Sequence, residues 1–365
     1  MGLNHPESLE LWQDWQRSRQ KLRRAKHAVA GGAGAVRSRL RRPRAADDAA
    51  GAPEADAGPA QRWTLSSRDG DRPERVLLAV DSASPTSRAA LLSFLPYLRS
   101  GVDVLAPVGV ELPELEGWRS ETGDDAAALA RAGEPGAVVS IGQHLALGAT
   151  AHELAESTGI RELVVQHGAL TPFAPPLPRG ATLLAWSDAD AEFWLSGRRD
   201  VETQTVGSQL LWQAGHDAGD VDRDARPVFL GQMHGAELPR RLTAGTAYRF
   251  CRMHEAIYRP HPAETDALSR AAHALMRRRG IAVAPTDVPL RELTSPVVAI
   301  FSTGVLEAAA RGVPAWVHCP DAPGWVHEFW RRYDMRPFGG TPTPPLAAAE
   351  GEPAVRIAGI IEGSV

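Results

Sequence analysis

The 365-residue chain is 43% hydrophobic and carries 10 tryptophans, enough apolar mass to bury the cores of two ordinary domains, which excludes a wholly disordered chain. Its net charge is −4, but eleven Lys and Arg lie between Arg17 and Arg44 with no acidic residue among them, so the remainder is acidic. Only two cysteines occur, Cys251 and Cys319, which excludes a disulfide framework.

A reducing, cytoplasmic setting follows from the cysteine count. No run approaches the roughly 18 apolar residues that cross a bilayer, and the basic N-terminus lacks the apolar stretch of a secretory signal. Residues 1–44 read as a basic, amphipathic helical segment, its helix running from residue 6 to about residue 30. Trp12, Trp15, Leu22 and Val29 form a narrow apolar stripe along it. Residues 45–71 are expected to be a flexible linker, because residues 45–60 are almost entirely Ala, Asp, Gly, Pro and Glu.

A first domain is expected over residues 72–220. Apolar strands are predicted at Arg75–Asp81, Val102–Pro107, Ala137–Ile141, Arg161–Gln166 and Leu183–Trp186, with helices at Ser87–Leu98, His144–Ser157 and Ala189–Leu195. The pattern restarts over residues 221–345. Strands there are Pro227–Gly231, Ala256–Tyr258, Val297–Phe301 and Ala315–Val317, and helices are Pro239–Met253, Glu264–Arg279 and Val305–Arg311. Residues 346–365 are a tail or a final short helix. Strands alternating with helices predict an α/β protein of two facing, Rossmann-like domains with mainly parallel sheets and a cleft between them.

Ligands of open parallel sheets bind at the carboxyl ends of the strands, and three motifs fall at such ends. In Tyr258-Arg259-Pro260-His261-Pro262-Ala263-Glu264, two prolines stiffen a loop that presents Arg259 and His261 to phosphate oxygens. In Phe301-Ser302-Thr303-Gly304-Val305-Leu306-Glu307, a strand becomes a helix, bringing hydroxyls and N–H groups of Ser302, Thr303 and Gly304 to one point. Glu307 follows one turn later, within reach of ribose hydroxyls. Simple N-capping by Ser302 or Thr303 is compatible with that role. Third, an apolar strand delivers His167 ahead of Gly168, where an imidazole can serve as general base.

Among secondary candidates, Asp188-Ala189-Asp190 and Gln143-His144 sit near other strand ends; Asp188 is positioned to orient His167, to serve as an alternative base, or to share a helix N-cap with Ser187, and Asp81 and Ser82 follow the first strand, where an acceptor would lie. Gly231-Gln232 ends the first strand of the second domain, under the expected nucleotide. His318, Cys319 and His327 match no standard metal spacing, so no metal site is expected, and no cofactor beyond the activated donor. Neither a Gly-x-Gly-x-x-Gly nor a P-loop signature is present, against a dehydrogenase or P-loop NTPase.

In their order, these motifs resemble GT-B-type transferases, particularly CDP-glycerol glycerophosphotransferases of teichoic acid synthesis and polysialyltransferase-like and Kdo-transferase-like capsule enzymes. His167-Gly168, Arg259 to Pro262, and Ser302-Thr303 carry the resemblance, with Leu184 to Asp188 and Val206-Gly207-Ser208 similar to the domain-linking region. It spans roughly residues 75–335. The continuation Gly304-Val305-Leu306-Glu307 departs from the aspartate-rich loop of glycerophosphotransferases towards the broader glycosyltransferase pattern.

The resemblance implies inverting transfer of a sugar or polyol phosphate from a CMP- or CDP-linked donor to a lipid-linked or polymeric glycan acceptor. His167 would be the base, and Arg259, His261, Ser302 and Thr303 would hold the departing phosphate. Alternatives are a UDP- or GDP-sugar-dependent glycosyltransferase, a nucleotide-sugar epimerase of the same fold, or a non-catalytic scaffold. For residues 9–44, contact with an anionic inner membrane face and a solvated tail both stay open, while nucleic acid is not an expected partner.

Overall fold

The computed structural model describes residues 2–19, 61–217, 220–286, 288–347 and 350–363. Helix α1 occupies residues 9–19, and the rest of the expected N-terminal helix, the second basic stretch and most of the expected linker lie outside the described residues. The first domain is built on strands β1 (Trp63–Arg68), β2 (Arg72–Ala79), β3 (Ser100–Pro107), β4 (Arg119–Gly123), β5 (Ala137–Ser140), β6 (Arg161–Val165), β7 (Thr182–Ala185) and β8 (Glu202–Thr205). They form one sheet in the order β4-β1-β3-β2-β5-β6-β7-β8. From β3 to β8 neighbouring strands are parallel, whereas β1 runs antiparallel to β3 and β4.

The sheet therefore begins within the stretch expected to be linker. Trp63 and Leu65 alternate onto one face of β1 and pack with Leu77, Ala79 and Leu105. Those two side chains, two positions apart, supply the strand signal that the Ala- and Pro-rich residues before them obscure. Alternation also divides β2: Val76 and Leu78 face one core cluster, Leu77 and Ala79 the other. Both faces are thus covered, as parallel strands require.

Helices α2 (Pro85–Leu91), α3 (Ala126–Ala132), α4 (Ala146–Thr158), α5 (Asp188–Leu195) and α6 (Gln209–His216) complete this domain. The Asp81 carboxylate, just beyond β2, accepts the N–H groups of Leu147 (2.9 Å) and Gly148 (3.2 Å) and so caps α4. This occupies a side chain that the sequence left open for an acceptor. Gly148 has no alternative residue: a Cβ there would lie 2.1 Å from the Gly142 carbonyl oxygen.

The second domain has four parallel strands, β9 (Val228–Leu230), β10 (Ile257–Arg259), β11 (Val297–Ala299) and β12 (Ala315–Val317), in the order β10-β9-β11-β12. Its helices are α7 (Arg240–Met253), α8 (Ala267–Arg278), α9 (Thr303–Ala310) and α10 (Gly324–Arg332). The chain then returns. Helix α11 (Pro353–Ile361) buries Ala354, Ile357, Ala358 and Ile361 in the core of the first domain. Beyond it the Glu362 carboxylate accepts the Ser100 N–H at 2.8 Å and pairs with Arg72 at 3.2 Å.

The tryptophans of α1 are spent inside the molecule. Trp12 is buried and donates its indole N–H to the Phe173 carbonyl at 2.8 Å, while Trp15 stacks on the Phe173 ring at 4.8 Å. These two side chains of the expected apolar stripe are thus engaged within the protein, while Leu22, Val29 and most of the basic residues lie outside the described residues. No helix among the described residues is long and apolar enough to cross a membrane.

Candidate functional site

The site assembles where β6, β10 and β11 end. After β6 the chain passes through Gln166, His167, Gly168, Ala169 and Leu170, and the second domain holds this segment at three points. The Ala169 N–H donates to Thr303 Oγ1 at 3.1 Å, the Leu170 N–H to the Tyr333 hydroxyl at 2.7 Å, and the Leu170 carbonyl accepts from the Arg332 guanidinium. Behind it sits a buried carboxylate, Asp190, which accepts from Tyr333 (2.7 Å) and from Gln166 Nε2 (3.1 Å) and lies 3.6 Å from Arg332. Burial pushes the Asp190 pKa up, and these partners oppose the shift.

His167 is half-buried, with its Nδ1 sealed from solvent and without a hydrogen-bond partner among the described residues. Burial holds its pKa down at about 4. His144, beyond the neighbouring strand β5, is in the same condition: Nδ1 is sealed and unpartnered, and burial, reinforced by His167, lowers its pKa to about 4. Trp12 of α1 closes over His144, edge to face at 5.6 Å. Asp188 does not reach this cluster. It is exposed and accepts from the Thr205 hydroxyl, so the buried carboxylate of α5 is Asp190, two residues on and around the helix.

On the other side, Arg259 ends β10 and donates to the Val288 carbonyl. Burial lowers its pKa and the nearby Glu307 raises it. His261 is exposed on the stiff loop; its Nδ1 accepts the Ala263 N–H at 3.1 Å and its ring stacks on His234 at 3.7 Å. Glu264, from the same segment, anchors that loop from below. Its carboxylate accepts the Tyr258 hydroxyl (2.8 Å) and the Met233 N–H (2.9 Å) and contacts His273 Nε2 at 2.8 Å.

Gly231 and Gln232 turn out to frame this floor. A Cβ on Gly231 would fall 2.4 Å from the Tyr258 hydroxyl and 2.6 Å from the Glu264 carboxylate, so only glycine fits. Gln232 Oε1 accepts the N–H groups of Ile300 and Phe301, both at 3.0 Å, tying the end of β9 to the turn into α9.

That turn carries Ser302, which N-caps α9 by accepting the Gly304 N–H at 3.1 Å. The Ser302 and Thr303 hydroxyls each accept a backbone N–H, and neither donates its own proton to another of the described residues. Gly304 packs too closely for a side chain, since a Cβ would lie 2.8 Å from Leu230 and Leu290. Glu307 is half-buried among Arg259, Arg291 and Arg311, with its pKa raised by burial against those cations. It lines a crevice of about 670 Å³ between α2, α6 and residues 289–291. A larger crevice, about 790 Å³, lies away from these strand ends, between residues 2–6, α5 and α10.

Of the sequence-derived residues, the structure joins the segment that carries His167 to Thr303 through Ala169, sets Arg259 beside Glu307 on the same domain, and leaves Asp188 bonded to Thr205. The sequence assigned no separate role to Asp190, Glu264 or Tyr333. Glu264 belonged to the quoted segment and Asp190 to an Asp-Ala-Asp helix start, but nothing local distinguishes Tyr333. Among the described residues no group of three or more His, Cys, Asp or Glu is placed to hold a metal ion.

No family model and no curated protein matches the sequence. Among solved structures, the fold is similar to UDP-GlcNAc 2-epimerase of Methanocaldococcus jannaschii in complex with UDP-GlcNAc and UDP. Identity is 13% over 79% of this chain and 99% of that one, with a TM-score of 0.51. A second structure of UDP-GlcNAc 2-epimerase from the same organism aligns over the same shares at 12% identity and a TM-score of 0.43. Together with the sheet order, the first of these likenesses establishes the fold class: a GT-B-like α/β protein of two facing Rossmann-like domains.

Proposed function

We propose that the chain is an enzyme acting on a nucleotide-activated sugar held between the domains, its phosphates against Arg259, His261 and the Ser302-Thr303-Gly304 turn. One observation carries this reading. The end of β6, bearing His167, meets the start of α9 through the 3.1 Å bond from the Ala169 N–H to Thr303, so both halves contribute to one cleft. The N-terminus of α9 adds positive potential, and the Arg259 fork suits phosphate oxygens. Glu307, neighbour to Arg259, is the candidate for ribose hydroxyls, and Gly231 with Gln232 supports the nucleotide from below.

Two chemistries are compatible with such a substrate. In transfer, a glycan hydroxyl attacks the activated carbon with inversion, His167 takes the hydroxyl proton, and the cationic second domain stabilises the departing phosphate. An imidazole held at about 4 is a weak base at neutral pH. Bound phosphate charge would raise it, coupling proton transfer to donor binding. In epimerisation no acceptor is needed, and the likeness to a UDP-GlcNAc 2-epimerase favours this second reading. It also adds uridine to the CMP- and CDP-linked donors implied by the motif resemblance.

The test is thermal-shift titration with UDP, CDP, CMP and GDP, followed by product analysis of the preferred nucleotide sugar. At 100 times its Kd a nucleotide stabilises by about 2.7 kcal/mol, enough for a clear rise in melting temperature. Conversion of the sugar without added acceptor identifies an epimerase, whereas nucleotide release only with a glycan acceptor identifies a transferase. No rise with any of the four nucleotides would refute the reading.

A further inference from the structure

His144 and His167 follow adjacent parallel strands, β5 and β6, whose pairing places Ser140 opposite Val164. The loops after them therefore lie side by side, and each carries one imidazole. The β5 loop is held rigidly: Ser140 Oγ accepts the Gly142 N–H at 3.0 Å, Gly142 adopts φ +115°, and its carbonyl is packed against Gly148 of α4. Trp12, only 4% exposed, closes the outer side.

In both rings the atom facing into the protein is Nδ1, and in neither does it have a hydrogen-bond partner among the described residues. That fact bears on which nitrogen holds the proton. A histidine that acts as base through Nε2 keeps a proton on Nδ1, and such an N–H is ordinarily given to a carboxylate or carbonyl. Here a buried Nδ1–H would have no acceptor, whereas a bare Nδ1 lone pair leaves only a weaker demand unmet. Protonating both nitrogens is opposed by burial and by the second ring.

We propose that His144 and His167 rest as a pair of neutral Nε2–H donors that bind an electron-rich oxygen of the substrate, a phosphate or a sugar oxygen. The pair then acts as an electrophilic hydrogen-bonding site for negative charge in the first domain. This rests on the nucleotide-sugar reading for the identity of the ligand, but not for the tautomer. It also assigns His167 a role other than proton acceptor in the resting enzyme, and so turns the balance from transfer by a His167 base towards chemistry that needs oxygen polarised.

The experiment is long-range 1H–15N correlation on the full chain labelled with 15N-histidine, at pH 7, with His144→Gln and His167→Gln assigning the two signals. Both rings are expected to be protonated on Nε2 alone. A proton on Nδ1 of His167, or an imidazolium at pH 7, overturns the proposal. Additions of UDP alone and of UDP-GlcNAc then separate the sources of the oxygen. Perturbation of both Nε2 signals by UDP marks a phosphate, and perturbation by UDP-GlcNAc only marks the sugar. In either case His144→Ala should weaken the responsible ligand about fivefold, and His144→Gln, which still offers an N–H, should restore most of that affinity. If a ligand binds, as its effect on His261 would report, yet moves neither Nε2 signal, the donor role falls while the nucleotide-sugar reading survives. If no nucleotide binds, that reading fails, and the tautomers alone decide the pair.

Discussion

Replacing Tyr333 by phenylalanine should loosen the junction between the domains with almost no change in packing volume. The hydroxyl accepts the Leu170 N–H at 2.7 Å and donates to Asp190 Oδ1 at 2.7 Å, both partners being buried. Its removal leaves one backbone donor and one carboxylate oxygen unsatisfied, at about 1–3 kcal/mol for each buried group. Asp190 retains Gln166 on its other oxygen and Arg332 at 3.6 Å, so its share belongs at the low end. The sum is about 2–4 kcal/mol, with no cavity contribution because the ring remains. Urea denaturation followed by tryptophan fluorescence measures it, and Thr303→Val provides a partner substitution, since Thr303 holds the adjacent Ala169 N–H. Two substitutions that release one segment should be non-additive by more than about 0.5 kcal/mol in a double-mutant cycle. A Tyr333→Phe variant within about 0.5 kcal/mol of wild type would refute the bridging role assigned to the hydroxyl.

Glu264→Gln tests the footing of the Arg259–His261 loop. An amide cannot accept from Tyr258 and Met233 together on two oxygens while facing His273, so a loss of about 2 kcal/mol or more is expected, with weaker nucleotide binding; melting curves with and without nucleotide read both. The paired histidines predict an acid-sensitive fold. Their folded pKa of about 4 lies below the unfolded 6.5, so the unfolded state binds more protons between those values and stability falls as pH drops from 6.5 to 4. The loss is at most about 3 kcal/mol per histidine, and the double variant His144→Gln, His167→Gln should flatten it in urea midpoints across that window.

How much of this was legible in the sequence depended on whether the signal was local. Strands with continuous apolar runs, such as β2 and β5, were readable because both faces are buried. Strands β4 (RSETG) and β8 (ETQT) close the two edges of the first sheet with mostly exposed polar residues, and so carried no hydrophobic pattern. The strand-end motifs were readable for the reason that makes them a candidate site: proline, glycine and hydroxyl residues interrupt apolar runs at the carboxyl ends of strands, where open parallel sheets bind ligands. Asp188 was singled out rather than Asp190 because both lie in the first turn of the same helix, and only the rotation of α5 decides which carboxylate is buried. Tyr333 meets Asp190 across 143 residues, a contact that no local pattern announces.

That long-range contact also ties the segment bearing His167 to the second domain. The segment bearing His167 has few ties of its own beyond Gln166, which donates to the Gly168 carbonyl at 3.1 Å. The Ala169 N–H and both backbone groups of Leu170 are held by Thr303, Tyr333 and Arg332 of the second domain. Opening the cleft would release those bonds together and free the loop, while closing it would set His167 at a fixed distance from the start of α9. Under the proposed function Thr303 would serve two tasks, accepting the Ala169 N–H and giving its own proton to the ligand. A phosphate bound there would therefore favour the closed arrangement through its own hydrogen bond, so substrate binding and closure reinforce each other by direct linkage. Weakening the latch at Tyr333 should then lower nucleotide affinity as well as stability, although Tyr333 itself lies outside the proposed phosphate contacts.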